Sequence, residues 1–113
     1  MLPKQHRLSD QDFAVVKKEG EKFFGPLFGL LVREDEGNEV RFGFIVSKKI
    51  DKRATVRNRI KRQLDQALFP FLSQIKPGIK AVFLARRSLI NQEFAQIKSE
   101  MVRMLKKGDL LSG

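Results

Sequence analysis

The stretch that decides the fold is KRATVRNRIKRQLDQ, residues 52–66. Its apolar residues recur every three or four positions, which is the period of a helix with a single apolar stripe. The residues of that stripe are Val56, Ile60, Leu64, Ala67 and Leu68. Pro70 follows and predicts the end of the helix, because proline cannot continue the backbone hydrogen bonding. We therefore predict a helix that buries one side and leaves a polar side in water.

The polar side of this helix is strongly basic. At about 100° per residue, the residues opposite the stripe are Asn58, Lys61, Arg62 and Asp65, with Arg57 and Arg59 on its flanks. Upstream stand Lys48, Lys49, Lys52 and Arg53, so that positions 48–62 hold eight basic residues and one acid. An ordinary solvated helix alternates the sign of its charges. The pattern predicts a nucleic-acid surface, since Arg and Lys bind phosphate and Asn can pair with a base edge or sugar.

The composition of the whole chain favours the same kind of partner. The 113 residues carry 23 Lys and Arg against 13 Asp and Glu, a formal net charge of +10, and a polyanion commonly offsets such a surplus. The length fits one domain, 1–113, in which we expect 1–7 and 108–113 to be flexible. The absence of Cys excludes disulfides and thiolate metal sites. The longest apolar run, 25–32, is too short to span a bilayer, so we expect a cytoplasmic protein with no membrane partner.

The remaining segments predict an α+β fold. Ser9 is placed to cap a first helix that stops at Gly20. The apolar run 23–33 and the alternating run 40–47 predict strands, which we expect to pair as a hairpin. A further strand over 79–86 and a last helix from about Asn91 complete the chain. The order α-β-β-(β)-α-β-α, with one optional strand, predicts a single-domain sandwich of helices packed on a small sheet.

Residues 46–67, VSKKIDKRATVRNRIKRQLDQA, resemble the signature of the bacterial ribonuclease P protein family. That signature joins a Ser-Lys-Lys strand end, a Lys/Arg-Ala step and an Arg-Asn-Arg-Ile-Lys-Arg helix, and the likeness extends over about 6–107. The resemblance implies a protein subunit of ribonuclease P, the endoribonuclease that removes the 5′ leader of precursor tRNA. It also implies a left-handed β-α-β crossover, against the usual right-handed preference.

The resemblance further implies how the chemistry is divided. The catalytic RNA performs the hydrolysis with Mg²⁺, so this chain is expected to supply no catalytic residue, no metal site and no cofactor site of its own. The expected partners are the ribonuclease P RNA and the 5′ leader of precursor tRNA, and no DNA partner is expected.

Two RNA-contacting surfaces follow from matching positions to the family. The surface for the ribonuclease P RNA comprises Lys48, Lys49, Lys52, Arg53, Arg57, Asn58, Arg59, Lys61 and Arg62. The cleft for the single-stranded leader comprises Phe13, Lys17, Leu31, Val46, Ser47 and Lys48. An aromatic or apolar wall lets successive bases stack without reading their sequence.

Four positions depart from the family pattern. Lys17 and Leu31 stand where relatives often carry aromatic residues, which shifts the cleft from stacking towards electrostatic contact. Asp51 replaces a common Gly and leaves the conformation of its loop open. Asp65 replaces a frequent Arg on the polar side of the helix. It lies within one turn of Lys61 and Arg62, so an ion pair with them that holds their geometry is one possible role. Asp65 also subtracts charge from this face.

Two other functions remain open on the residues alone. A ribosomal or other structural RNA-binding protein would share the charge and the fold class. A metal-independent nuclease acting alone would need a catalytic group of side chains, but the single His, His6, has no partner in the pattern. Stimulation of precursor-tRNA cleavage in the presence of ribonuclease P RNA distinguishes the family function from both.

Overall fold

The computed structural model describes residues 2–112, which form three α-helices and a four-stranded sheet. The helices are α1 (Asp10–Glu19), α2 (Ala54–Leu68) and α3 (Phe94–Lys107), and the strands are β1 (Glu21–Phe23), β2 (Phe28–Glu34), β3 (Arg41–Ile45) and β4 (Ile79–Ala85). Short 3-10 turns occur at Lys4–His6, Phe69–Gln74 and Arg87–Leu89. The predicted α+β class and element order are confirmed, with β1 as the optional strand.

The sheet is organised around β4, in the order β1-β2-β4-β3. β4 pairs antiparallel with β2, from Phe28↔Ala85 to Glu34↔Ile79, and parallel with β3. The predicted hairpin between the two earlier strands is therefore wrong, because β4 lies between them. Residues 81–83 of β4 are fully buried in succession and so face apolar layers on both sides, the environment of a central strand.

α2 and α3 cover one face of the sheet. The whole predicted stripe of α2 is buried, from Val56 to Leu68, and the rings of Phe42 and Phe44 stack on Phe83 beneath it. α2 connects the parallel strands β3 and β4, so the expected β-α-β unit is present. The hand of this crossover stays a prediction of the resemblance.

α1 lies on the opposite face of the sheet. The Oγ of Ser9 accepts a hydrogen bond from the backbone N–H of Asp12, which confirms the predicted cap. The aromatic ring of Phe13 lies directly on Gly43 of β3, where a Cβ atom would stand 2.1 Å from Phe13 Cζ. Glycine at this position is what allows the first helix to approach the edge of the sheet.

The last helix begins at Phe94, three residues after its predicted start, because a 3-10 turn and extended backbone at Glu93 precede it. Over residues 2–112, no helix combines the length and apolar character needed to cross a bilayer.

Candidate nucleic-acid interface

The basic residues predicted to bind RNA share one surface, formed by the loop 46–53 and the outer side of α2. We call this the basic surface, and its members are Lys48, Lys49, Lys52, Arg53, Arg57, Asn58, Arg59, Lys61 and Arg62. All of them are exposed except Arg57, which is half-buried. The helical geometry of α2 produces this arrangement, because burying its stripe turns the opposite residues outward.

These side chains fall into two groups according to their contacts. In the first group the side chains make no hydrogen bond or ion pair to any residue in 2–112; its members are Lys48, Lys49, Lys52, Asn58, Lys61 and Arg62. Five of the six are cationic, so five charges are free for an external anion. The second group, Arg53, Arg57 and Arg59, is engaged within the protein.

Asp51 organises the loop that precedes α2. Its carboxylate accepts hydrogen bonds from the guanidinium of Arg53, at 3.1 and 2.9 Å, and from the Arg53 backbone N–H at 2.8 Å. These hydrogen bonds lower the pKa of Asp51 to about 2. Arg57 Nη1 then donates to the carbonyl oxygens of Asp51 and Lys52, at 2.9 and 2.7 Å. The acid that departs from the family pattern therefore holds a defined loop.

Two further arginines tie this loop and α2 to the segment after β4. Arg59 Nη2 donates to the carbonyl of Ile90 at 3.0 Å, and Arg87 Nη2 donates to the carbonyl of Lys49 at 2.8 Å. Arg87 lines an open depression of about 640 Å³ together with residues 48–53. The sequence reading missed Arg87, although the pair of arginines at the end of a predicted strand was a signal that could have found it.

The predicted leader cleft is only partly open at the surface. Phe13 is half-buried, and Lys17, Ser47 and Lys48 are exposed. Leu31 and Val46 are 4% and 7% exposed and so present almost no surface. Leu31 packs in the small apolar cluster under α1, whereas Val46 belongs to the main core on the other side of the sheet.

Two residues of the same face were missed by the sequence reading. Ile45 and Leu84 are half-buried and pack, like Phe13, against the apolar cluster under α1. Strand alternation was the available signal, because Ile45 and Gly43 share a face of β3. These side chains extend the apolar wall beyond Phe13.

Lys80 fixes α1 to the sheet beside this wall. Its Nζ lies 3.1 Å from a carboxylate oxygen of Asp35 and 3.3 Å from one of Asp12. The hydrogen bond to Asp35, together with that to Asp12, raises the pKa of Lys80. Burial alone would raise the pKa of Asp12, but the hydrogen bonds from Lys80 and Ser9 outweigh it and lower that pKa. Phe13, the next residue, is thereby held over the sheet.

Asp65 does not share the open side of α2. It is 7% exposed, and its Oδ2 accepts a hydrogen bond from the backbone N–H of Leu2 at 2.7 Å. The expected outward placement beside Lys61 and Arg62 is therefore wrong. The prediction of its position on the helix was correct, but the N-terminal segment packs over that position. The hydrogen bond that joins them links residues 63 positions apart in the sequence.

Comparisons with known proteins agree on one family. A family model described as Ribonuclease P matches residues 2–109. A protein of Synechococcus sp. named ribonuclease P protein component is 33% identical over 116 residues, covering 98% of this chain and 87% of the relative. One of Listeria monocytogenes is 35% identical over 112 residues, covering 97% and 93%.

Solved structures give the same result. The RNase P protein of Staphylococcus aureus superposes with a TM-score of 0.86 at 25% identity, over 96% of this chain and all of that one. The RNase P protein of Thermotoga maritima gives a TM-score of 0.80 at 26% identity, over 95% and 98% of the two chains.

Proposed function

Because the chain belongs to the ribonuclease P protein family and acts as a ribonuclease P subunit in tRNA 5′ processing, we propose that its basic surface binds the ribonuclease P RNA. The same comparisons favour this function over a ribosomal or other structural RNA-binding role. The contribution of the chain to the endoribonuclease is binding and orientation of RNA, in the cytoplasm.

The observation that carries this proposal is that some cations of the basic surface bind the protein itself while others make no contact with it. Arg53, Arg57 and Arg59 direct hydrogen bonds to the protein itself and hold the loop and α2 in place. Lys61, Arg62 and the free lysines are left to pair with phosphates. Because the loop and α2 are already held in position, their backbone loses less conformational entropy on binding, and release of counterions from the RNA provides much of the affinity.

The cleft beside α1 is proposed to hold the 5′ leader of precursor tRNA. Phe13, with Ile45 and Leu84, offers an apolar wall on which bases stack, and Lys17 and Lys48 supply charge for the leader phosphates. The RNA subunit performs hydrolysis with Mg²⁺ in this proposal, and the protein side chains hold both RNAs in register.

Reconstitution tests the function directly. Purified protein is added to ribonuclease P RNA and precursor tRNA at low Mg²⁺, and cleavage of the leader is followed on gels. We expect strong stimulation at low Mg²⁺ that diminishes as Mg²⁺ rises, because cations also screen the repulsion between the two RNAs. Protein without the RNA subunit serves as the control and should leave precursor tRNA intact. A failure to stimulate at every Mg²⁺ concentration would refute the proposal.

A further inference from the structure

The N-terminal segment, residues 2–8, runs from α2 to the outer edge of β3. At one end the Leu2 N–H donates to Asp65 of α2, and the Leu2 side chain is 3% exposed in the main core. At the other end the Leu8 N–H donates to the carbonyl of Phe42 at 3.1 Å, and Arg7 forms a parallel bridge with Phe42. We call this segment the N-terminal strap.

Side chains brace the strap along its length. Arg7 Nε donates to the carbonyl of Leu2 at 2.8 Å, and Arg41 Nη1 donates to the carbonyl of Arg7 at 3.0 Å. His6 Nδ1 lies 2.7 Å from the carbonyl oxygen of Val40. Ordering these residues costs conformational entropy, which burial of Leu2 and the hydrogen bonds offset. These contacts join the strap to α2 at one end and to β3 at the other.

The strap carries two cations, Lys4 and Arg7, that form no ion pair within residues 2–112. Lys4 is exposed, and its side chain makes no hydrogen bond or ion pair within residues 2–112. Arg7 is exposed, and within residues 2–112 only the Nε of its guanidinium donates a hydrogen bond. Both of its Nη atoms are therefore available to another acceptor. The hydrogen bond from the Leu2 N–H to Asp65 joins this end of the strap to α2, and the Leu2 carbonyl in turn positions the guanidinium of Arg7.

The charge of Asp65 is opposite in sign to that of the basic surface, and an acid within one helical turn of Lys61 and Arg62 weakens the attraction of a polyanion. We propose that Asp65 is a positioning residue that holds the strap against α2, and that Lys4 and Arg7 bind RNA phosphates as an extension of the basic surface. The strap then leads into α1 and Phe13, so that it continues from the proposed RNA-subunit surface to the proposed leader cleft. This inference rests on the proposed function.

The sign of one substitution separates the strap from simple electrostatics. Asp65→Ala removes a negative charge from the middle of a basic region, and charge alone predicts tighter RNA binding. If Asp65 positions the strap, the same substitution releases Lys4 and Arg7 and weakens binding. The slope of log K against log salt is negative, and each phosphate that the protein no longer binds makes it shallower by about 0.7–0.9, which corresponds to roughly sixfold weaker binding near 100 mM salt.

The experiment is a titration of fluorescently labelled ribonuclease P RNA with the full chain at 50–200 mM salt. Lys4→Ala, which alters only an exposed side chain, should make the slope shallower by the amount of one phosphate. Asp65→Ala should reduce the steepness of the salt dependence by the amount of two phosphates. Adding Lys4→Ala to Asp65→Ala should change the slope no further, because coupled residues are not additive.

The matched control is Lys106→Ala, which removes an exposed lysine on α3 and should leave the slope unchanged. Thermal unfolding checks that every variant is folded.

Tighter binding by Asp65→Ala, or an unaltered slope for Lys4→Ala, overturns the strap proposal. Lys61→Ala/Arg62→Ala in the same assay separates this failure from that of the proposed function. If that variant binds weakly while the strap variants bind normally, only the strap inference is wrong. If it also binds normally, the basic surface itself is not the RNA-binding site, and both proposals are overturned.

Discussion

Replacing Lys61 and Arg62 together by alanine is the sharpest test of the basic surface. Both side chains are exposed on α2 and make no hydrogen bond or ion pair within residues 2–112. Their removal therefore leaves the loop held by Arg53 and Arg57 intact. Alanine also has the best helix propensity, so α2 should not be weakened. The change subtracts two free cations and leaves the fold in place.

The expected magnitude follows from counterion release. Two bound phosphates contribute about 1.4–1.8 to the slope of log K against log salt. The double variant should therefore bind ribonuclease P RNA about 25- to 60-fold more weakly at 100 mM salt, if each side chain meets one phosphate. The ratio between the affinities of the unmodified chain and the double variant should fall by about 7- to 12-fold between 50 and 200 mM salt. The reason is that the electrostatic contribution that the substitutions remove is itself salt-dependent.

Fluorescence anisotropy of labelled RNA over this salt range gives both quantities in one experiment. Lys98→Ala/Lys106→Ala is the charge-matched control, since it removes two exposed cations from α3. We expect its salt dependence to parallel that of the unmodified chain. Parallel lines for Lys61→Ala/Arg62→Ala would refute the reasoning, because they would show that these side chains meet no phosphate.

Three further predictions concern the cleft and the loop. Phe13→Ala should reduce discrimination between precursor tRNA and tRNA lacking its leader in a binding assay, while affinity for the RNA subunit holds; an equal fall in both would identify Phe13 as a purely structural residue. Gly43→Ala should lower the free energy of unfolding in urea by about 1–3 kcal/mol, because the new Cβ would stand 2.1 Å from the Phe13 ring, and an unchanged midpoint would contradict this packing. The folded-state pKa of Asp51 is depressed from 3.8 to about 2, so its stabilisation is present above about pH 4 and lost as pH falls through about 2. The difference in melting temperature between the unmodified chain and Asp51→Ala should therefore shrink as pH falls from about 4 to about 2, and a constant difference would show that the hydrogen bonds from Arg53 to Asp51 do not stabilise the fold.

Local patterns predicted the parts of the fold that local physics controls. The spacing of Val56, Ile60 and Leu64 predicted the buried side of α2, and the hydroxyl of Ser9 predicted the start of α1; both are confirmed. The choice of strand partners was not available in the same way. An alternating pattern predicts that a segment is a strand but does not say which other strand it pairs with. The predicted hairpin between β2 and β3 was wrong for this reason, because β4, far along the chain, lies between them.

The candidate site divides along the same line. The clustering of basic residues opposite the stripe was readable from the sequence, and so was the family signature. The contacts of individual side chains were not readable, because Arg57, Arg59 and Arg87 find carbonyl acceptors that the fold brings to them. Leu31 and Val46 were likewise assigned to an open cleft but are covered by neighbouring elements.

The sequence by itself determined that this chain has a two-sided helix, a surplus of positive charge on one side of it and a ribonuclease P family signature. These properties depend on the helical period and on residue identity, which need no knowledge of distant contacts. Only the tertiary structure decided whether Asp65 is exposed or buried. The helical wheel places it on the open side, but the N-terminal strap covers it. Burial and pairing depend on segments that meet only after folding, and for this reason the residue that fits the sequence pattern least is explained by the fold.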